Sequence, residues 1–390
     1  MTENCLAYLA QGKLHLHGDG AAHTLESSFG RSLRDRAVQI HNRHAWKTQG
    51  RSAQFMRGML WPEQECDPGE IRIAITSVAR GHKPGEVYYS LETDEISGIF
   101  AVDASGFEQR LFHTADFRVR NIAVHPDGTA IAVSVSHRNL TSNIGVLNAE
   151  GSDFVEASEG DSVDLAPRWV PGAQRRLVFQ SAGLGRDAAG RYSGIGPFTI
   201  QQLDLDSGEI ECLAEDPKSD HLGPQMDAGG ALYFIRRPCA SAQPATDPLN
   251  VVKDTLLFPF RMSYAIFQFF NFFSMRYTGR PLSTSKGAVQ KTSDAKQMML
   301  WGNLIDASAA GRENRPGESD APSLVPSSWQ LVRQSSSGQE VLATGVLSFD
   351  IARDGSVLYS NGSAIHQMKP NSDHAERILV GAMIEQVAAL

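Results

Sequence analysis

The chain has 390 residues, a formal net charge of −8, 41% hydrophobic residues and 21% charged ones. That balance allows a sizeable buried core and argues against a general nucleic-acid binder. Four cysteines, Cys5, Cys66, Cys212 and Cys239, make no CxxC pair, so neither a zinc knuckle nor a disulfide framework is indicated.

In chain order, the first residues carry no basic region, apolar core or cleavage pattern. The expected location is the cytoplasm, with peripheral membrane association as the alternative. Short alternating runs at 6–10, 13–17 and 23–26 predict three strands. His15 and His17 share one strand face, but no third metal ligand accompanies them, and strand-edge histidines are the favoured reading.

A helical period follows within 27–69. Leu33, Ala37, Ile40 and Trp46 form an apolar stripe that Ser27 or Ser28 would cap. Arg31, Arg34, Arg36, Arg43, Lys47, Arg51 and Arg57 stand against Asp35 alone. This predicts a basic helix that either packs over the rest of the fold or meets an acidic partner, with Arg34, Arg43 and Lys47 as candidate contacts.

From residue 70 onwards the pattern repeats. One set of turns (Pro84-Gly85, Pro126-Asp127-Gly128, Pro171-Gly172, Asp227-Ala228-Gly229, Asp354-Gly355) alternates with a second (Ser105-Gly106, Glu150-Gly151, Ser207-Gly208, Ser337-Gly338). Steps of roughly 43–45 residues separate neighbouring copies where nothing is inserted, the period of a four-stranded propeller blade. The expected blades are 70–114, 118–159, 162–215, 221–237 with 327–345, and 346–381. A sixth joins a C-terminal strand, 383–390, to residues 1–26. Pairing the two ends in one blade would close the ring and remove free sheet edges. The glycine-rich stretch 183–196 reads as a hairpin extension rather than a phosphate loop, and Asp204, Asp206 and Glu209 as a turn rather than a calcium site.

The segment 240–326 interrupts one blade. Phe258, Phe260, Phe267, Phe269, Phe270, Phe272 and Phe273 crowd its first part, with Arg261, Tyr264, Gln268 and Asn271 on one narrow face. This predicts an amphipathic helix that buries its wide face in the protein, in a second copy, in a partner's groove or in a membrane surface. Phe260, Phe267, Phe270 and Phe273 are the candidate anchors. Met298 to Trp301 reads as a short apolar anchor and 308–328 as a flexible linker.

The run Ile122-Ala123-Val124-His125-Pro126-Asp127-Gly128-Thr129-Ala130-Ile131-Ala132-Val133 resembles the repeat of TolB-like, WD40-related propellers. Weaker copies stand at 349–359 and 168–172. The resemblance covers most of the chain outside 27–70 and 240–326 and implies a fold, not a site.

No GxSxG elbow, HExxH, P-loop or GxGxxG fingerprint is present. The expectation is therefore an all-β, six-bladed propeller with two helical insertions. It would act as a non-catalytic interaction or scaffolding module without a catalytic residue, cofactor or metal, its partner a protein or a second copy. One alternative is a metal-dependent, lactonase-like hydrolase using Asn121, Asp164, Asp350 and Glu385 in the central channel; the other is a membrane-peripheral adaptor.

Overall fold

A computed structural model describes residues 6–18, 21–48, 73–172, 175–239, 297–300, 303–306, 321–370, 372 and 374–390, with backbone alone for 40–48 and the two short segments near 300. The chain opens with β1 (Leu6–Ala10), β2 (Lys13–Gly18) and β3 (Ala21–Leu25), followed by α1 (Ser28–Thr48). A meander of β4 (Ala74–Arg80), β5 (Val87–Glu92), β6 (Ser97–Val102) and β7 (Glu108–Thr114) comes next. Then come β8 (Arg118–Val124), β9 (Ala130–Ser136), β10 (Ser142–Asn148) and the short β11 (Val155–Glu156). The following group is β12 (Ser162–Trp169), β13 (Arg176–Arg186), β14 (Tyr192–Ile195), β15 (Thr199–Asp204) and β16 (Ile210–Ala214). A parallel bridge from Ser142 to Val163 joins these last two groups into one nine-stranded sheet.

Next are β17 (Ser219–Met226) and β18 (Leu232–Pro238), then a separate hairpin, β19 (Gln297–Leu300) with β20 (Asn303–Asp306). The sheet resumes with β21 (Gln330–Ser335) and β22 (Gly338–Thr344). The last meander is β23 (Ser348–Ile351), β24 (Val357–Ser360), β25 (Ala364–Met368) and β26 (Ala375–Val380). The final strand, β27 (Ile384–Ala389), pairs antiparallel with β1 from Leu6↔Ala389 to Ala10↔Ile384, giving the order β27-β1-β2-β3.

Turn chemistry explains the local order. Gly128 lies at φ 75°, and the Asp127 carboxylate accepts from the Thr129 backbone N–H at 2.9 Å and from its hydroxyl at 2.6 Å. Those two bonds from Thr129 hold the Asp127 pKa down to about 2. Asp103, Asp204 and Asp354 cap their own turns in the same way, so the reading of Asp204 as a turn residue matches its contacts. The hairpin extension of 183–196 is β13 paired with β14.

Burial is lowest at the outer edge of the meanders. β5 and β6 are buried at every position, whereas the fourth strands β16, β22 and β26 are mostly exposed or half-buried. Apolar cores lie between neighbouring sheets. One joins Ala7, Leu9 and Leu14 to Ile75, Tyr89 and Phe100; another joins Leu6 and Val387 to Leu358 and Ile365. A cross-strand pair recurs between second and third strands: Tyr8 stacks on His15 at 4.9 Å, Tyr89 on Phe100 at 5.3 Å, and Tyr359 on His366 at 5.0 Å. His15 is half-buried in the middle of β2, stacked on Tyr8 of β1 and with Thr24 Oγ1 of β3 3.1 Å from its Nδ1.

Among the described residues there is one helix, α1; the second helix expected, in the phenylalanine-rich segment with Phe260, Phe267, Phe270 and Phe273, lies outside them. The apolar run at 298–301 begins as a strand of the β19–β20 hairpin. The end of the supposed linker is docked: Val325 is fully buried, Leu324 N–H donates to Asn361 O at 2.9 Å, and the Ser323 hydroxyl donates to Val325 O at 2.8 Å. Its Pro/Ser composition reads as a tether, but the apolar side chain of Val325 inserts into the core beside Trp329 of the resumed blade.

Candidate functional site

The innermost strands β4, β8, β12, β17, β23 and β27 pack on one another in succession, and β27 packs on β4. Side chains of one group of strands fasten the backbone of the next. The Ser77 hydroxyl accepts from Ile122 N–H at 2.9 Å, and the Ser134 hydroxyl from Ala166 N–H at 3.1 Å. Gln180 Oε1 accepts from Gly223 N–H at 2.7 Å. Gln225 holds both Phe349 O (3.0 Å) and Ile351 N–H (3.1 Å). Asp350 Oδ2 accepts from Ala389 N–H at 2.8 Å, and Gln386 clasps Val78 through its N–H (3.2 Å) and carbonyl (2.9 Å).

These bonds serve a strained backbone. β8, β12 and β17 each break register in mid-strand, and Asn121, Ala166 and Gly223 there have φ of 51°, 53° and 59°. A bulge leaves ladder groups unpaired, and a neighbouring side chain supplies the missing partner. Asparagine and glycine tolerate this region; Ala166 does so at about 1–2 kcal/mol.

The four residues expected to line a channel are therefore mostly committed to structure. Asn121 is half-buried at its bulge. Asp164 is buried and accepts from the Ser158 and Ser181 hydroxyls at 2.6 and 2.7 Å. Burial raises its pKa, and the hydroxyls offset part of that rise. Asp350 is buried between Ala389 N–H and the Arg168 guanidinium, 3.5 Å away. Glu385 is half-buried on β27. Asp164 and Asp350 thus serve different partners. Among the described residues, no three of His, Cys, Asp and Glu gather where they could share a metal ion.

The basic helix has a more distinctive attachment. Ser27 is its cap, accepting from Gly30 N–H at 3.1 Å. Glu108, on β7, caps it from outside: its carboxylate accepts from Ser28 N–H (2.9 Å), the Ser28 hydroxyl (2.8 Å), Phe29 N–H (2.9 Å) and the Tyr89 hydroxyl (2.6 Å). Phe29 packs on Phe100 at 5.1 Å, with the Arg110 guanidinium 5.6 Å from its ring. A carboxylate at a helix N-terminus also meets the positive end of the macrodipole. The first turn of the helix is thus rooted on an outer strand, β7. Beyond the root, Arg34, Asp35, Arg36, Val38 and Gln39 are exposed, while the side chains of Arg43 and Lys47 lie outside the described residues. No helix among the described residues is long and apolar enough to cross a membrane.

Burial works against ionising Glu108, but the bonds from Tyr89, Phe29 and Ser28 outweigh it and lower its pKa. Its stabilisation is accordingly present above the unfolded carboxylate value and lost as pH falls through the lower folded one. Glu108→Ala is expected to cost about 2–3 kcal/mol in chemical denaturation at neutral pH and to reduce the helical circular dichroism signal. Stability and helicity equal to wild type would show that the cap contributes nothing.

Glu108, Gln225 and Gln386 escape a reading of the sequence because each acts on backbone groups far along the chain. The only local hint for Glu108 is its place on an outer strand of otherwise exposed character.

No protein-family model and no curated protein matches the chain. Solved structures do. A chain of the nidogen/laminin complex matches with a TM-score of 0.51 at 10% identity, over 99% of this chain and 98% of that one. TolB from Acinetobacter baumannii matches with a TM-score of 0.50 at 12% identity, over 99% of this chain and 66% of that one. The fold resembles that of a TolB-like β-propeller. At such identities the likeness speaks for the fold alone.

Proposed function

We propose that this chain, a TolB-like β-propeller in fold, is a six-bladed ring closed by β27 and β1 that works as a protein-interaction module. The six side-chain fastenings, five of them between different sheets and the last that of Gln386 on Val78, support the closed ring. The observation that carries the interaction reading is α1, fixed at its first turn by Glu108 with basic side chains exposed beyond it. A helix fixed at its first turn, with Arg34, Asp35, Arg36, Val38 and Gln39 exposed beyond it, gains little from those positions by itself, since helical stability in proteins comes mainly from packing a face. Its charge complements an acidic protein surface, and Arg34 and Arg36 stay exposed although the chain as a whole carries a net charge of −8. The phenylalanine-rich segment offers a second contact, by the sequence argument alone.

Charge reversal tests the reading. Partners crosslinked to the wild-type protein in its native cells would be identified, purified and titrated against Arg34→Glu/Arg43→Glu/Lys47→Glu. An affinity loss of at least about tenfold, near 1.4 kcal/mol, with an unchanged melting temperature is the expected result. Equal affinity in the charge-reversed protein would remove α1 from the interface. A Phe267→Ser/Phe270→Ser/Phe273→Ser variant separates the second contact from the first.

A further inference from the structure

We propose that the turn end of the inner strands holds an oxyanion-binding site built on Arg80 and Arg168. The two guanidiniums come from different sheets and converge on adjacent residues of β23, one Cα step of about 3.8 Å apart. Arg80 Nη1 lies 3.5 Å from Ile351 O, and Arg168 Nη2 lies 3.5 Å from Asp350 Oδ1. A third, Arg353, stands two residues further on and donates to His82 O at 3.1 Å and Gly81 O at 3.5 Å. On the ring reading this is where the central channel opens, and the inference rests on that reading only for this placement.

Asp350 meets the Arg168 guanidinium, and its other oxygen is already engaged by Ala389 N–H. The nearby acids serve their own turns: Glu86 lies against His82 at 3.2 Å, and Asp354 accepts from Ser356 N–H at 2.9 Å. Arg80 is half-buried, yet among the described residues only Nη1 of its five N–H donors is met, by a carbonyl at the limit of hydrogen-bond length. The Ser348 hydroxyl, two residues before Asp350 on the same strand face, is buried with no hydrogen-bond partner among the described residues. A partly desolvated guanidinium is costly unless an anion meets its fork, and carboxylate and phosphate both fit it bidentately. The ligand class is therefore a small oxyanion, a phosphate or a carboxylate.

Two titrations at low ionic strength, one with inorganic phosphate and one with succinate, identify the source. Saturable binding of either by calorimetry is expected, weakened at least tenfold in Arg80→Gln and in Arg168→Gln and unchanged in Arg191→Gln, whose exposed guanidinium pairs with Asp187. Arg80 fastens no bulge, so its variant tests binding rather than folding. In crystals of the intact protein grown with selenate, an anomalous peak within hydrogen-bond reach of Arg80 and Arg168 is the matching result. No saturable binding by either anion, or binding that survives Arg80→Gln, overturns the proposal. The α1 variants leave these arginines untouched, so failure here and failure of the interaction reading are told apart.

Discussion

Removing residues 384–390 is expected to unfold the protein rather than trim it. Ile384, Val387 and Ala388 are fully buried, and β1, buried at all five positions, would lose its partner along its whole length. Gln386 would release Val78, and Asp350 would lose Ala389 N–H while still facing Arg168. Burial of Ile384 and Val387 is worth roughly 1.5–3 kcal/mol each, and each hydrogen bond adds about 1 kcal/mol. The loss therefore exceeds about 5 kcal/mol, against a total stability of about 5–15 kcal/mol for a typical domain. Chemical denaturation reads it directly, and the uncovered β1 edge should also drive self-association. A truncated protein with the wild-type midpoint would refute the closed ring. Gln386→Leu is the mild version, keeping the strand while removing its clasp.

Asp220→Ala should be the most damaging single substitution described here. Asp220 and Arg237 form an ion pair at 3.0 Å with side chains 6% and 2% exposed, beside the Trp329 ring 4.7 Å from the guanidinium. The other Asp220 oxygen accepts from Phe198 N–H at 3.1 Å. Burial lowers the Arg237 pKa, and the attraction of Asp220 works against that fall. Taking away the carboxylate leaves a buried charge without its counter-ion, which costs about 3–5 kcal/mol. Adding Arg237→Met to Asp220→Ala should restore much of the loss, because the uncompensated charge goes with it. A double variant no more stable than Asp220→Ala would show that packing, not charge, sets the cost.

The repeat was legible in the residues themselves. Alternation at 119–124 and 130–136 became β8 and β9, and the Pro126-Asp127-Gly128 turn between them carries the φ that glycine allows. Both signals are local: a strand's period of two and a turn's demand for positive φ operate within a few residues. The basic helix was legible for the same reason, as was its Ser27 cap, three residues from the N–H that it serves. Composition failed at 321–328, where a linker-like run conceals the core side chain of Val325.

What only the tertiary structure decided is who fastens whom. Gln386 meets Val78 across 308 residues, Gln225 meets Ile351 across 126, and Glu108 caps Ser28 across 80. Asp164 and Asp350 looked like free carboxylates because composition reports charge and not the hydrogen bonds that use it. In each fastening one partner is a backbone N–H or C=O, which nearly every residue carries alike. A sequence therefore holds no mark of which of these groups a glutamine or a glutamate will reach, and only the packing of sheet against sheet selects it.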